Sequence, residues 1–98
     1  MEVGSFIVWG TSLDAGCLAL TTPHDKNRAT VGNGVMVALR VGSKAQVDAV
    51  YKKALELGGT DEGPPGYRGP PEMGYYFSYF RDPDGHKFAA FCIKKPDA

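Results

Sequence analysis

Residues 75–93, YYFSYFRDPDGHKFAAFCI, constrain the fold of this chain more than any other stretch. Two runs rich in aromatic and β-favouring residues flank a DPDG sequence. Pro83 fixes the backbone angle that the second position of a turn needs, and Gly85 accepts a positive φ. The carboxylates of Asp82 and Asp84 can accept hydrogen bonds from nearby backbone amides. The pattern predicts an antiparallel hairpin with a tight loop.

A four-residue turn at DPDG fixes which side chains of the hairpin share a face. It places Ser78 opposite Ala89 and Tyr76 opposite Phe91. Because side chains alternate along a strand, one face then carries Tyr76, Ser78, Phe80, Ala89 and Phe91, and the other carries Tyr75, Phe77, Tyr79, Phe88, Ala90 and Cys92. Neither face is polar enough for open solvent. We therefore expect one face to be covered and the other to line something.

Composition excludes several classes of partner. Eleven basic residues balance 11 acidic ones without a basic run, which argues against a nucleic-acid or anionic-membrane partner. The 98 residues allow one domain, and they contain neither an 18-residue apolar stretch nor a signal-peptide layout at the start. Cys17 and Cys92 lack CxxC spacing, so we expect two free thiols in a reduced, cytoplasmic protein.

The rest of the chain predicts one helix and three further strands. Apolar runs at residues 6–9 and 17–20 can pair with each other, and the polar residues 22–34 connect them to an alternating strand at residues 35–41. Ser43 then begins a helix with capping-box spacing to Gln46. That helix has an apolar stripe and ends at a glycine pair. Residues 60–74, rich in proline and glycine, are expected to form a loop with at most a short edge strand.

Four segments in this order resemble a known family. They are residues 29–34 (ATVGNG), 47–50 (VDAV), 58–63 (GGTDEG) and 81–87 (RDPDGHK). Their order and spacing are similar to those of bacterial glyoxalase-like proteins of the vicinal oxygen chelate superfamily, the glyoxalase and bleomycin-resistance group. The match is carried by the set, since DPDG alone is simply a good turn.

The resemblance implies an α+β fold in which βαβββ units form a curled, mixed, cup-shaped sheet that holds a small ligand. Residues 34–93 correspond to a complete unit of this kind. Residues 1–33 correspond to the last strands of a preceding unit and a connector, so the chain looks truncated at its N-terminus relative to the family pattern. All 98 residues are expected to form a single glyoxalase-like domain.

The resemblance also implies where a metal would bind. Family enzymes place His, Gln or Glu on the first and last strands of a unit, and these positions fall on Met36 and Ala89. A thioether is a poor ligand for an oxygen-seeking divalent ion and a methyl group is none. We therefore predict no metal, no other cofactor and no catalytic residue. The remaining candidates are expected to be solvated in loops (His24, His86, Glu62, Glu72) or buried as an inert thiol facing the helix (Cys92).

The predicted register places an aromatic lining in the cup. Its members are Trp9, Met36, Ala38, Arg40, Tyr76, Ser78, Phe80, Ala89 and Phe91. Such a lining suits a small, partly aromatic or acidic organic ligand whose charge meets Arg40. The same residues are equally the kind that pack against each other or against a second chain. Tyr67 and Arg68 are either a lid over the mouth or ordinary loop residues.

Two function classes are open at this point. One is a glyoxalase/bleomycin-resistance-like protein that binds its ligand without a metal. The other is a metal-dependent lyase, isomerase or dioxygenase whose site is completed by a partner chain. A homodimer is expected in either case, because the family pattern covers the strands at residues 6–9 and 17–20 with a helix that has no counterpart here. A second copy covers that surface by two-fold packing or by exchange of strands.

Overall fold

The computed structural model describes residues 2–3, 6–9, 18–28, 30 and 32–96, and up to residue 19 it describes the backbone alone. The chain divides into two compact units, Met1–Gly34 and Val35–Ala98. In the described ranges there is no helix of the length and apolarity that a bilayer span requires.

The first unit contains a three-stranded antiparallel sheet. Its strands are β1 (Glu2–Val3), β2 (Phe6–Trp9) and β3 (Leu18–Leu20), in that order. The predicted pairing of the two apolar runs is confirmed, with Val8 opposite Ala19. Cys17, which was predicted to begin the second run, lies outside the described residues. Strand β1 was not predicted, because two residues are too few to show a period.

The second unit has the order that the sequence predicts. It contains β4 (Val37–Arg40), helix α1 (Lys44–Glu56), β5 (Thr60–Tyr67), a short 3₁₀ turn (Pro71–Met73), β6 (Tyr75–Arg81) and β7 (Lys87–Ile93). The strands form one sheet in the order β4-β7-β6-β5, in which β4 runs parallel to β7 and the other pairs are antiparallel. The α+β class, the βαβββ order and the mixed sheet are therefore confirmed.

Helix α1 begins where the capping signal predicts. Ser43 has extended backbone angles, and its Oγ accepts a hydrogen bond of 3.2 Å from the Gln46 amide. The side chain of Gln46 reaches one residue further back than a standard capping box, since its Oε1 accepts from the Gly42 amide at 2.6 Å. At the other end, Gly58 adopts a φ of 101° and the helix stops.

Strand β5 is longer than the predicted short edge strand. Residues 60–67 pair with β6, but the register shifts between Asp61 and Gly63 and again between Gly63 and Gly66. Pro64 and Pro65 lie inside the second shift. A proline lacks the amide that a central strand must donate, and an edge strand with bulges tolerates it. A strand of this composition is possible because β5 lies at the end of the sheet and pairs on one side only.

The hairpin is present, but its predicted register is wrong by one residue. Ser78 lies opposite Ala90 rather than Ala89, and Tyr76 lies opposite Cys92 rather than Phe91. The loop has five residues, because the Asp82 amide donates to the His86 carbonyl and closes it one residue later than DPDG suggests. Gly85 does take the predicted positive φ, at 89°.

Candidate functional site

The two faces of the four-stranded sheet differ because α1 packs against only one of them. The Tyr76 hydroxyl donates to Asp48 Oδ1 of the helix at 2.8 Å, and Lys44 Nζ donates to the Tyr67 hydroxyl at 3.1 Å. Tyr67 and Tyr76 pair across β5 and β6 with their rings edge to face. We call this side the helix face and the opposite side of the sheet the free face.

The register divides the predicted lining residues between these two faces. Ala89 and Phe91 lie on the free face, and their partners in β4, Ala38 and Arg40, share it. Three of the predicted lining residues lie on the helix face instead, which corrects the prediction: Tyr76, Ser78 and Phe80. A one-residue slip moves every side chain of one strand to the other side of the sheet.

The last two predicted lining residues do not join either group. Met36 precedes β4 and is partly exposed. Trp9 belongs to β2 of the first unit, and its side chain is outside the described part of the structure. The structure therefore brings together four of the nine predicted residues, in two neighbouring strands.

A row of three stacked aromatic rings crosses the free face, and we call it the aromatic row: Phe77, Tyr79 and Phe91. Phe77 and Phe91 pair directly across β6 and β7, with ring centroids 4.7 Å apart and planes 11° from parallel. Phe77 and Tyr79 follow along β6 at 5.7 Å and 21°. Phe77 and Tyr79 are half-buried, so these rings form a continuous apolar strip on the side of the sheet away from α1.

Two cations lie against the ring at the end of this row. The Arg68 guanidinium is 5.3 Å from the centroid of the Tyr79 ring, and Lys87 Nζ is 5.5 Å from it. Arg68 follows β5 and Lys87 begins β7, so the two cations approach Tyr79 from its two neighbouring strands. A cation at this distance from an aromatic face is attracted by the ring quadrupole.

Glycines in β5 make room for the Arg68 side chain. A Cβ atom at Gly63 would lie 3.0 Å from Tyr79 Cδ2 and 3.2 Å from Arg68 Nη2, and one at Gly66 would lie 3.0 Å from Arg68 Nη1. Arg68 Nη2 also donates to the Pro64 carbonyl at 2.7 Å. The guanidinium therefore has a defined position across β5. The sequence predicted Arg68 either as part of a lid or as an ordinary loop residue, and neither prediction describes this position.

The Tyr79 hydroxyl is neutral at physiological pH. Burial raises the pKa of Tyr79 above its ordinary value, and the nearby charge of Arg68 opposes that rise. The next cation along this face, Arg81, forms an ion pair with Glu62, with 2.6 Å between Nε and Oε1. Glu62 is thus an ion-pair partner, in contrast to the solvated loop residue predicted from the sequence.

The positions at which the family resemblance places metal ligands do not fit a metal ion. Ala89 is fully buried, and its neighbour in β4 is Ala38. Neither side chain has a donor atom, and the Met36 thioether precedes the strand. The two adjacent strands that hold metal ligands in family enzymes therefore present methyl groups to the free face here.

One group of potential ligands lies in the hairpin loop instead. Atoms of Asp82, Asp84 and His86 lie within 4.8 Å of one another. The loop itself accounts for this, because Asp82 Oδ1 accepts from the amides of Asp84 and His86, and Asp82 Oδ2 lies 3.1 Å from His86 Nδ1. The backbone bond from His86 is also the main cause that lowers the pKa of Asp82. These hydrogen bonds stabilise the turn and explain why the three side chains lie close together without an ion.

The other candidate residues are placed as predicted. His24 and His86 are exposed in loops. Cys92 is buried and reduced, shares the helix face with Tyr76 and has its pKa raised by burial. A thiol that burial keeps protonated is a poor nucleophile.

Comparison with known proteins agrees with this fold. The sequence profile of the Glyoxalase/Bleomycin resistance protein/Dioxygenase superfamily matches residues 7–90. A glyoxalase/bleomycin resistance protein from Albidiferax ferrireducens T118 is 34% identical, with a TM-score of 0.57 over 96% of this chain and 73% of that one. A hypothetical protein from S. aureus is 26% identical, with a TM-score of 0.55 over 83% of this chain and 62% of that one.

A third solved structure shows the fold alone. It is a glyoxalase/bleomycin resistance protein/dioxygenase family enzyme from Burkholderia phytofirmans PsJN, 18% identical, with a TM-score of 0.58 over 95% of this chain and 75% of that one. No curated protein sequence matched the chain.

Proposed function

Since the chain belongs to the Glyoxalase/Bleomycin resistance protein/Dioxygenase superfamily, we propose that it binds a small, planar organic molecule on the free face of its four-stranded sheet, without a metal ion. The observation that carries this proposal is the aromatic row. Phe77 and Tyr79 keep part of their ring surface accessible beside the buried Phe91, and they offer an apolar area against which another flat ring system can pack.

The opposite face of the sheet is an unsuitable place for a ligand. Ser78, Ala90 and Cys92 are buried there. The helix contributes Lys44 and Asp48 to hydrogen bonds with Tyr67 and Tyr76. A ligand would have to displace α1 from this face, whereas stacking on the free face leaves the helix in place.

Binding without a metal follows from the residue types at the family positions. A Lewis-acid mechanism needs ligands that fix the ion and leave a coordination position open, and neither the Met36 thioether nor the Ala89 methyl group is such a ligand. We expect elemental analysis after mild purification, and titration with nickel, zinc and manganese, to show no stoichiometric binding. Tight binding that is lost on substitution of residues in β4 or β7 would contradict this part of the proposal.

A matched pair of substitutions on one strand tests the choice of face. Phe77 and Phe80 both belong to β6, but Phe77 lies on the free face and Phe80 on the helix face, stacked on Phe88. We expect 2-naphthylmethanol and 2-naphthoate to bind the parent protein in calorimetric titrations. Phe77→Leu should weaken both ligands, and Phe80→Leu should leave both affinities unchanged although it also loses an aromatic contact.

Thermal melts of the unliganded variants provide the control. Each Phe→Leu change removes packing in the sheet, so both variants are expected to melt below the parent. The comparison is made at a temperature at which both remain folded. If no planar compound in a broad library binds the parent protein, or if Phe80→Leu abolishes binding and Phe77→Leu does not, the free face is not the site.

A further inference from the structure

We propose that the ligand of the free face is a planar aromatic anion, whose ring packs on the aromatic row while its acidic group is recognised by the cations beside Tyr79, Arg68 and Lys87. This inference rests on the proposed function and adds the charge of the ligand and the residues that recognise it. The sequence alone predicts Arg40 as the charge partner.

The first support is the convergence of two cations on one ring. Arg68 and Lys87 both lie within 5.5 Å of the Tyr79 centroid. Both side chains are half-buried, so water only partly screens their charges. The quadrupole of a single tyrosine ring compensates only part of two positive charges. An anionic group bound beside Tyr79 would complement them.

The second support is the lack of a protein anion for these cations. In the part of the chain that the structure describes, neither Arg68 nor Lys87 forms an ion pair with a carboxylate. Glu62, an acidic residue of the adjacent edge strand, is bound to Arg81 at 2.6 Å. A bound anion would supply the complementary charge that no described carboxylate gives Arg68 and Lys87.

The third support is that Arg68 is held in position before a ligand arrives. Its bond to the Pro64 carbonyl orients the guanidinium across β5, where a Cβ atom at Gly63 or Gly66 would lie 3.2 or 3.0 Å from its nitrogens. A fixed, planar guanidinium matches the two oxygens of a carboxylate or phosphonate. Fixing it in advance reduces the side-chain entropy that binding would otherwise cost.

Arg40 occupies a different part of the face. Arg40 lies in the end strand β4, where it is exposed and pairs with Phe91 of β7. Arg68 and Lys87 instead lie beside Tyr79 of β6. An acidic group at Arg40 and one at Arg68 would place the ligand at opposite ends of the aromatic row. Substitutions of the two arginines therefore separate the two assignments.

The experiment compares 2-naphthoate with 2-naphthamide, which has nearly the same shape and no charge, by calorimetry at low ionic strength. We expect Arg68→Gln and Lys87→Gln each to weaken 2-naphthoate by about tenfold or more. The affinity for 2-naphthamide should change by less than about twofold. Lys52→Gln, which removes one positive charge from an exposed helix position, is the matched control and should leave both ligands unaffected.

A further variant tests position without changing charge. Gly66→Ala adds a methyl group 3.0 Å from Arg68 Nη1 and should shift the guanidinium by a few tenths of an ångström. We expect it to weaken 2-naphthoate and to spare 2-naphthamide. Arg68→Lys should recover part of the affinity for 2-naphthoate that Arg68→Gln loses, because it restores the charge without the planar geometry.

The possible outcomes separate the two proposals. If both ligands bind and every Gln variant changes the two affinities by the same factor, the free face binds planar molecules but Arg68 and Lys87 do not recognise the acidic group. If Arg40→Gln alone discriminates between the ligands, the acidic group lies at the other end of the row. If a neutral planar compound binds and no planar acid does, this inference fails and the proposed function stands; if no planar compound of either kind binds, both fail.

Discussion

Replacing Tyr76 by phenylalanine removes one hydroxyl and tests the face on which the structure places this residue. The hydroxyl donates to Asp48 Oδ1 at 2.8 Å and so ties β6 to the helix. A hydrogen bond to a charged group contributes about 1.5–3 kcal/mol when it is buried. Asp48 is exposed and water replaces part of the interaction, so we expect the free energy of unfolding to fall by about 1 kcal/mol.

The same substitution should alter the response to alkaline pH. Desolvation, and then the Asp48 carboxylate, raise the pKa of Tyr76 to about 12, against about 10 in the unfolded chain. The folded state thus retains a proton that the unfolded state loses. Its stabilising effect is complete below pH about 10 and is lost as the pH rises toward about 12. Tyr76→Phe should lose less stability than the parent over this interval.

Urea unfolding followed by circular dichroism, at pH 7 and at steps above pH 9, measures both effects. In a domain of this size about 1 kcal/mol corresponds to a melting temperature lower by about 4–8 °C. Tyr75→Phe is the control, since Tyr75 precedes Tyr76 and alternation places it on the free face. We expect this control to change stability by less than about 0.5 kcal/mol. Equal effects of the two substitutions, or parallel alkaline profiles of Tyr76→Phe and the parent, would refute the assignment of faces.

Three further predictions concern the helix start, the hairpin loop and association. Ser43→Ala should cost about 1 kcal/mol of stability through loss of the bond to the Gln46 amide, and urea unfolding that is unchanged would contradict the cap. Gly85→Val should cost more, because a β-branched residue resists a φ of 89°, and a melt like that of the parent would exclude that strain. We also expect self-association, because Val37 and Leu39 are 50% and 46% exposed in the end strand β4; a monomer at low micromolar concentration in light scattering coupled to size exclusion would exclude it.

Local signals were sufficient to predict the elements and their order. A serine with capping geometry marks the start of α1, and a glycine pair marks its end. Gly85 carries the positive φ that the DPDG pattern implies. Each of these features is decided by a few neighbouring residues, and the resemblance of four segments to one family adds the expectation of a βαβββ unit with a curled, mixed sheet.

The register of the hairpin is not decided locally to within one residue. DPDG is compatible with a four-residue turn, and only the pairing of Asp82 with His86 makes the loop one residue longer. The consequence for the site is large, because alternation assigns every side chain of β6 to the wrong face. The predicted register places Phe77 and Tyr79 on the face of the hairpin that packs against the helix, whereas the structure places them on the free face.

The cationic part of the site depends on contacts that no local pattern contains. Arg68 reaches Tyr79 across a bulged edge strand, over glycines that the composition alone presents as loop residues. Lys87 looks like the polar first residue of a strand. The pairing of Glu62 with Arg81 likewise joins residues 19 apart in the chain. Such contacts become visible only after the strands are placed in register.

The two prolines in β5 also determine how the sheet can grow. Pro64 and Pro65 offer no amides at one border of the four-stranded sheet, and the bulges around them bend that border away from regular pairing. Strand addition is therefore confined to the border formed by β4. If two copies were joined about a two-fold axis, their β4 strands would pair with each other. The outer borders of the combined sheet would then be the two β5 strands, which the prolines interrupt. Growth of this sheet by strand addition would therefore stop at a pair.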